Sequence, residues 1–196
     1  MPKLGMEPIR RRQLIDATME VIHDVGFCGV TIAEIARRAG VSYGLAHHYF
    51  GSKDQLMTAT MRHLLTSLGE EHRRCLDGAA SPEARISAVV RASFAADQFK
   101  PAVISAWLAF YMQAQTGPGS RYLLRIYARR LVSNLSFALG QVMPRERARE
   151  LAELSAALID GMWIRWALSD NRPTAAQAAA QAEAGILRLI GEGRDG

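Results

Sequence analysis

The chain has 196 residues, of which 49% are hydrophobic and 22% are charged, and its formal net charge at pH 7 is +5. This length is enough to bury a sound core in one or two domains. No apolar run approaches the roughly twenty residues of a membrane span, and residues 1–7 lack the apolar segment of a secretory signal. Two cysteines, Cys28 and Cys75, make no disulfide framework and are predicted to pack as small apolar residues in a cytoplasmic protein.

The distribution of charge is less informative than its total. An isoelectric point of about 9.6 suits a polyanionic partner. Residues 1–56 hold seven basic and six acidic side chains, however, so seven minus six leaves a net charge of only +1. A role in DNA binding therefore has to rest on where the charges lie.

Apolar residues recur at helical spacing along the whole chain, which predicts an all-α fold of about nine helices. Residues 1–6 are predicted to form a mobile arm. The first helix is predicted from Pro8 to Val25 and is broken by Gly26 and Gly29. Its inward face is predicted to comprise Leu14, Ala17, Thr18, Val21 and Ile22.

A helix-turn-helix pattern follows. Thr31 and Glu34 have the spacing of a capping box, so a second helix is predicted to start at Ile32. Gly40 is predicted to end it, because glycine takes the left-handed backbone at little cost. Ser42 is predicted to cap a short third helix that runs to about Phe50.

Loop residues and helix caps divide the remainder of the chain. Ser52 is predicted to cap a fourth helix, and Asp77–Ala80, Thr116–Gly119 and Asp170–Pro173 are predicted loops. The predicted functional domains are residues 1–54, which bind DNA, and residues 55–196, which bind an effector and dimerise. Helices four to nine are predicted to cover residues 53–76, 82–99, 101–115, 120–142, 146–169 and 175–191.

One run of residues resembles a known DNA-binding signature. Ile35-Ala36-x-x-Ala39-Gly40-Val41-Ser42-x-Gly44, followed by Tyr49-Phe50-x-Ser52-Lys53-x-x-Leu56, is similar to the signature of the TetR family of repressors. The resemblance implies an N-terminal helix-turn-helix domain, a C-terminal effector-binding domain and a homodimer on double-stranded operator DNA. Further runs resemble the choline-responsive members of that family, which repress genes of glycine betaine synthesis: residues 1–6, 10–18, 107–110, 129–135 and 157–161.

The resemblance also assigns DNA contacts. Lys53 opens a predicted helix, where free N–H groups and the helix dipole attract a phosphate, and the matching lysine has this role in the family. Tyr49 matches a position that contacts the DNA backbone, and Gly44 permits a close approach to the groove. The predicted DNA-binding set is Arg10, Arg11, Thr31, Ser42, Tyr43, Gly44, His47, His48, Tyr49 and Lys53.

Two features of this set leave alternatives open. The common family pattern has threonine, leucine and tyrosine where this chain has Leu45, Ala46 and His47, and histidine does not reproduce the tyrosine hydroxyl. Arg10, Arg11 and the following arginine either flank the duplex or form a solvated helix start. A short recognition helix reads few base pairs, so a dimer reading two half-sites is expected.

Aromatic residues suggest an effector site. Trp107, Phe110 and Tyr111 share one face of the predicted sixth helix, and Asp160 and Trp163 share a face of the eighth. Such rings with one acid suit a quaternary ammonium ion, and the resemblance implies choline. The alternative is that the aromatics are core residues and that Asp160 pairs with an arginine such as Arg130 on the predicted seventh helix.

No catalytic, metal-binding or cofactor-binding constellation is found. All five histidines lie before residue 73, and neither His47 with His48 nor His23 with Cys28 has a spacing suited to a shared metal on a helix. The leading hypothesis is a choline-released repressor of betaine synthesis genes. The alternatives are a TetR-type repressor of an efflux or catabolic operon with another effector, and an enzyme or helical ligand-binding module without DNA function.

The dimer is predicted to form through the eighth and ninth helices. Small residues allow close helix approach, and larger apolar residues continue the same seam. The predicted seam comprises Ala175, Ala176, Ala179, Ala182, Ile186, Leu189 and Ile190.

Overall fold

A computed structural model describes residues 5–192. Over this range the chain forms nine α-helices, one short 3-10 helix and no strand, which confirms the all-α prediction. No helix in the described range is long and apolar enough to cross a membrane. The helices are α1 (Met6–Gly29), α2 (Ile32–Arg38), α3 (Tyr43–Phe50), α4 (Lys53–Leu76), α5 (Pro82–Ser93), α6 (Pro101–Thr116), α7 (Pro118–Leu139), α8 (Arg145–Ala167) and α9 (Ala175–Glu192).

The chain divides into two compact units. The first comprises residues up to 66 together with 100–124, and the second comprises residues 67–99 together with the chain from 125 onward. Helices α4 and α7 therefore contribute residues to both units. The predicted division after residue 54 concerns function, and it stays a prediction.

In the first unit, α1 packs against α6 and α2, and α2 packs against α3. All five residues predicted to face inward from α1 are buried. The helix is longer than predicted: it begins at Met6, after Gly5 with φ 103°, and it continues to Gly29 across one non-helical residue, Gly26. Two of the residues predicted as an arm, Gly5 and Met6, thus cap and start α1, and residues 1–4 lie outside the described range.

The turn between α2 and α3 forms as the sequence predicts. The Thr31 hydroxyl oxygen accepts the N–H of Glu34 at 3.2 Å and caps α2. Gly40 has φ +64°, and the next N–H, from Val41, donates to the Ala36 carbonyl at 3.0 Å. The Ser42 hydroxyl oxygen then caps α3 by accepting the N–H of residue 45 at 3.2 Å. These bonds satisfy backbone groups that the helix ends leave unpaired.

In the second unit, α9 packs against α5 and α8. Helix α5 ends at Ser93 rather than Phe99, and a 3-10 helix, Ala96–Phe99, follows. The Ser93 hydroxyl donates back to the Val89 carbonyl at 2.9 Å, and Phe94 leaves helical geometry with φ −108° and ψ 21°. No glycine or proline marks this end, which explains why the sequence pattern missed it.

Helix α7 is displaced relative to its prediction. It begins at Pro118, two residues before the predicted start at Ser120, and it ends at Leu139 rather than Val142. Proline is tolerated in a first helical turn because the N–H that it lacks has no partner there. The other helix ends lie within two residues of their predicted positions, apart from those of α1 and α5.

The predicted dimer seam is wrong for four of its residues, because α9 turns them into its own protomer. Their exposed fractions are 8% or less, so they face α5 and α8 rather than a partner. The four residues are Ala179, Ala182, Ile186 and Ile190.

The two cysteines differ. Both thiols are free, but Cys28 is exposed, so its predicted packing role is wrong; it follows the break at Gly26 near the end of α1. Cys75 is half-buried, and its Sγ donates to Glu71 Oε1 at 3.5 Å. Burial raises the pKa of the Cys75 thiol, and the bond to Glu71 adds to the rise.

Candidate DNA-binding and effector sites

Helix α3 is held by two side chains and exposes most of the others. Ala46 and Phe50 are buried, whereas Tyr43 is 56% exposed and both histidines are exposed. The Ser42 cap fixes the backbone at the start of α3. Lys53 begins the next helix, α4, with two residues between it and the end of α3. A helix that buries so little of itself has its polar face available to a partner.

The exposed side chains of α3 form two ring pairs. The rings of Tyr43 and His47, one turn apart, have centroids 6.1 Å apart, and the rings of His48 and Tyr49 have centroids 5.6 Å apart. These four predicted DNA-binding residues therefore lie together on one short helix. Their flat, hydrogen-bonding groups suit base edges and phosphates.

Gly44 lies in the first turn of α3 and is exposed. A Cβ atom built at this position meets no heavy atom within 4 Å, and the backbone is helical there. Neither a tight internal contact nor a left-handed backbone therefore requires glycine at position 44. A requirement for close approach by an external partner is consistent with this open space.

The two capping hydroxyls are already in use as acceptors. Thr31 and Ser42 each accept a backbone N–H, so their oxygens hold the starts of α2 and α3. A hydroxyl that accepts one bond still has its own proton to donate. Both residues are exposed and can donate that proton to a phosphate without uncapping the helix.

Lys53 begins α4 and is half-buried. Its Nζ donates to the Phe27 carbonyl at 3.4 Å and lies 5.4 Å from the centroid of the Phe27 ring. This contact holds the ammonium close to the end of α1. An ammonium has three donors, so one weak bond leaves it able to bind a phosphate.

The consecutive arginines of α1 have different partners. Arg10 donates to Gln13 at 3.0 Å, and Arg12 donates to Asp16 at 2.9 Å, both within the same helix. Arg11 donates to Glu7 at 2.9 Å, but its guanidinium also lies over the rings of two α3 residues. Only this arginine of the three therefore joins α1 to the recognition helix in the described part of the chain.

Helix α2 carries charge that is largely neutralised. Arg37 donates to Glu34 at 2.9 Å, and Arg38 donates to Asp24 of α1 at 2.6 Å. The hydrogen bond from Arg37 lowers the pKa of Glu34. The Arg38 pair links α2 to α1, and both pairs add little net positive field toward DNA.

Three of the predicted effector residues belong to the first unit. Trp107 and Phe110 on α6 are 4% and 0% exposed, and Tyr111 is half-buried. The ring of Trp107 lies 5.6 Å from that of Phe110 and 6.4 Å from that of Tyr111, measured between centroids. Helical spacing thus brings the three rings together, and complete burial of Phe110 is also what core packing produces.

The remaining two effector residues belong to the second unit. Asp160 is half-buried on α8 and accepts a hydrogen bond from the Tyr127 hydroxyl of α7 at 2.5 Å. Burial raises the pKa of Asp160, and the bond from Tyr127 opposes that rise. Arg130, the alternative partner considered above, is exposed and forms no ion pair with Asp160 among the described residues.

Trp163 belongs to an aromatic cluster. Its ring lies 6.4 Å from that of Phe99, and Phe94 stacks on Phe99 at 6.2 Å and meets Trp166 edge-on at 5.4 Å. Four residues of these contacts were not among the predicted effector residues: Phe94, Phe99, Trp166 and Tyr127. Trp166 could have been predicted, because it lies three residues after Trp163 on the same helix. The other three residues lie outside α8, so no helical spacing relates them to Trp163.

A groove of about 820 Å³ between α7 and α8 does not suit a cationic effector. Arg129, Arg145 and Arg149 line it, and of these Arg149 is paired with Glu153 at 3.1 Å. A quaternary ammonium ion there would be repelled by guanidinium groups.

Within residues 5–192, no group of three His, Cys, Asp or Glu side chains is arranged to hold a metal ion.

Sequence comparisons agree with these features. Residues 14–60 match the family described as bacterial regulatory proteins of the tetR family, and residues 82–191 match the BetI-type transcriptional repressor C-terminal domain. The chain belongs to the TetR family and has a BetI-type C-terminal domain. An HTH-type transcriptional regulator BetI from Brucella anthropi is 52% identical over 98% of this chain and 100% of its own, and one from Rhizobium meliloti is 49% identical over 99% and 97%.

Solved structures share the fold. A transcriptional regulator from Pseudomonas aeruginosa has a TM-score of 0.81 and 27% identity, with coverage of 93% of this chain and 90% of its own. A regulator from Saccharomonospora viridis, solved in complex with choline, has a TM-score of 0.77 and 20% identity over 91% and 96%. At that identity the second likeness concerns the fold alone.

Membership in this family confirms several predictions. The chain is a DNA-binding transcriptional repressor of the TetR type and not an enzyme, because its relatives are transcriptional regulators. The individual contacts with DNA and effector stay predictions.

Gly44→Ala separates DNA contact from folding. Alanine favours a helix over glycine by about 1 kcal/mol, and the open space at this position accepts its methyl group. We therefore expect an unchanged or higher free energy of unfolding, together with operator affinity reduced at least about tenfold, or about 1.4 kcal/mol. Thermal unfolding and fluorescence anisotropy measure the two quantities.

Gly69→Ala in α4 is the matched control, because Gly69 is also a helical glycine with nothing within 4 Å of an added Cβ. It should gain stability and keep its operator affinity. If Gly44→Ala binds the operator as tightly as this control, α3 does not approach the groove at Gly44.

Proposed function

We propose that this repressor controls genes for the synthesis of glycine betaine from choline, and that choline releases it from its operator. The observation that carries the choline part is the half-buried Asp160 carboxylate, held by Tyr127 in the same unit as the rings of Trp163 and Phe99. The resemblance to choline-responsive members of the family supports the same effector. We expect the protein to act in the cytoplasm.

The DNA-reading part of the proposal rests on the exposed face of α3. Tyr43, Gly44 and His47 face the base edges, whereas Tyr49 and Lys53 bind phosphates. Thr31, Ser42, His48 and Arg10 complete the proposed contact surface, and Arg11, which the sequence also predicted, lies beside it over the rings of Tyr49 and Phe50. Phosphate contacts supply affinity and orientation, and the base contacts supply the sequence preference.

The effector part follows from the chemistry of a trimethylammonium group. Such a group has no N–H donor and favours aromatic faces, each worth about 0.5–2 kcal/mol, with an acid to balance its charge. Asp160 is the proposed acid, because its carboxylate carries the balancing negative charge and the bond from Tyr127 holds it in place. Trp107, Phe110 and Tyr111 of α6 lie in the first unit and stay effector candidates on the sequence evidence alone.

A homodimer is proposed to form through exposed small residues of α8 and α9. Leu154, Ala157 and Gly161 lie along one exposed stripe of α8, and Leu154 is 49% exposed. On α9 the corresponding stripe comprises Ala180, Ala184 and Leu187. These two helices pack on each other, and a pair of such helices from each protomer suits an isologous four-helix interface.

The central experiment selects a duplex from a random-sequence pool with the purified protein and then titrates the complex with choline. Release by choline at unchanged salt supports the proposal. Release by a different compound but not by choline would favour a TetR-type repressor of an efflux or catabolic operon instead. The factor by which choline lowers the affinity for DNA cannot exceed the ratio of its own affinities for the non-DNA-binding and DNA-binding states.

Lys53→Ala is expected to weaken binding to all duplexes alike. Each phosphate contact contributes about 0.9 to the slope of log affinity against log salt, so the slope should flatten by about that amount per protomer. Anisotropy titrations at several salt concentrations measure it. Arg62→Ala, in the exposed middle of α4, is the control; parent-like affinity and slope in Lys53→Ala would mean that Lys53 does not bind phosphate.

Replacing either effector tryptophan by leucine tests the aromatic site. Trp107→Leu and Trp163→Leu keep apolar volume and remove a ring face, so choline affinity should fall about two- to thirtyfold while operator binding persists. Isothermal titration gives the affinity. Phe94→Leu, at a buried ring that stacks on Phe99 and is not a proposed effector residue, controls for lost packing. Parent-like choline affinity in both tryptophan variants would leave these rings as core.

The pH dependence of choline binding tests Asp160. Because burial raises the pKa of Asp160, its carboxyl takes up a proton at a higher pH than an exposed aspartate. Choline affinity should therefore fall as the pH drops through that raised value, and Asp160→Asn should bind choline weakly at every pH. Isothermal titration at a series of pH values measures this; a pH-independent affinity in the parent would contradict a charge-balancing role.

Asp160→Asn should also fold normally. A raised pKa in the folded state means that the ionised carboxylate lowers the free energy of unfolding above that pKa, and stability is full only at lower pH. Asparagine removes this cost and still accepts the bond from Tyr127. A loss of choline binding in this variant would therefore report on the effector site and not on unfolding.

Ala184→Glu combined with Leu187→Glu tests the dimer surface. Burying these carboxylates in an apolar interface costs several kcal/mol, so the dimer dissociation constant should rise at least about a hundredfold. Sedimentation equilibrium measures it, with Ala33→Glu on exposed α2 as the control. A folded parent that is monomeric at micromolar concentration would contradict the dimer itself.

A further inference from the structure

Arg11 has a position that sets it apart from the arginines on either side. Its guanidinium carbon lies 5.0 Å from the centroid of the Phe50 ring and 5.6 Å from that of Tyr49. Its Nε donates to Glu7 Oε1 at 2.9 Å, one turn earlier in α1. The side chain therefore spans from α1 to the last turn of the recognition helix.

The two rings under Arg11 differ in role. Phe50 is 5% exposed and anchors α3 in the first unit, whereas Tyr49 is half-buried and is proposed to bind phosphate. A guanidinium over both rings ties the half-buried ring to the buried one. Because a planar guanidinium stacks on aromatic faces, the contact also restricts the rotation of the Tyr49 ring.

The end of α3 strengthens this contact. The last carbonyl groups of a helix carry partial negative charge, which attracts a cation. Gly51 follows Phe50 with φ +66°, and its N–H donates to the His47 carbonyl at 2.7 Å, so the chain turns away at this point. Arg11 thus meets α3 at a terminus where its charge is favourable.

Glu7 fixes the other end of the arginine. Its carboxylate holds the Nε edge of the guanidinium, and its own side chain is 61% exposed. A guanidinium that is bound along one edge and stacked on two rings has fewer donors to offer a phosphate than a free one. His48, whose ring lies 5.6 Å from that of Tyr49, flanks the same surface.

We propose that Arg11 is a positioning residue that acts on DNA through Tyr49, by clamping the last turn of α3 to α1, rather than by binding a phosphate itself. The inference rests on the proposed phosphate contact of Tyr49. It separates the three arginines into one structural clamp and two locally paired surface residues. It also explains how the turn before α4, and hence Lys53, is held from the side of α1.

Arg11→Lys tests the clamp, because lysine keeps the positive charge but loses the planar group. A lysine can still bind a phosphate as a point charge, so a direct contact would survive the change. The clamp predicts that operator affinity falls about threefold to tenfold, with an unchanged slope of log affinity against log salt. The probe is the duplex selected with the parent protein. Because that selection is done first, a failure of DNA binding by the parent is distinguished from a failure of the clamp.

Arg12→Lys is the matched control. Arg12 is the next residue, it is paired with Asp16 at i+4, and it lies over no ring in the described range. It keeps its charge on substitution and should bind the duplex like the parent. Thermal unfolding of both variants shows whether either change unfolds the domain.

A double-mutant cycle with Tyr49→Phe shows whether Arg11 acts through Tyr49. Phenylalanine keeps the ring and removes the hydroxyl, so Arg11→Lys should cause little further loss of affinity in that background. Amide hydrogen exchange of residues 47–50 in the DNA-free protein should be faster in Arg11→Lys than in Arg12→Lys. Parent-like affinity in Arg11→Lys, additive losses in the cycle, or unchanged exchange would each overturn the clamp.

Discussion

The left-handed backbone at Gly40 is the constraint on which the DNA-reading surface depends. A residue with a Cβ pays a steric cost at this φ, whereas glycine lets the chain reverse within two residues after α2. The reversal aligns the Val41 N–H with the Ala36 carbonyl and presents Ser42 as a cap. The direction of α3, and the exposure of its side chains, follow from this one turn.

Local pairing of charge shapes how this surface can attract DNA. Acidic partners within α1, within α2 and between these two helices engage several of the N-terminal arginines. Exposed pairs of this kind contribute little to stability, and salt screens them. Phosphates compete with carboxylates for the same arginines, so affinity depends on geometry more than on the net charge of the domain.

The sequence predicts the elements that have local chemical signals. Capping hydroxyls, the glycine turn and the apolar stripe of α1 each act over a few residues, and the structure confirms them. The end of α5 has no such signal, because a serine that bonds backward replaces the usual glycine or proline. The burial of the α9 face was also missed, since an apolar stripe has the same sequence pattern whether it packs within a protomer or against a partner.

Contacts between residues that are far apart in sequence explain which site residues the sequence did not predict. The spacing on α6 and α8 identified Trp107 and Trp163, but Tyr127 and Phe99 come from α7 and the 3-10 helix and reach the second unit's cluster only on folding. The guanidinium of Arg11 likewise meets α3 across some forty residues of chain. Helical periodicity describes one helix at a time, so it cannot assign a partner on another.

The empty space around Gly44 has a consequence for how such chains diverge. Folding alone favours a side chain at this position, because glycine weakens a helix and no neighbour occupies the space. Mutation would therefore tend to replace Gly44 in any descendant that no longer needs to approach a duplex, and that descendant would still fold. A glycine retained at position 44 among divergent relatives would then mark the lineages in which this helix is still selected for contact with DNA.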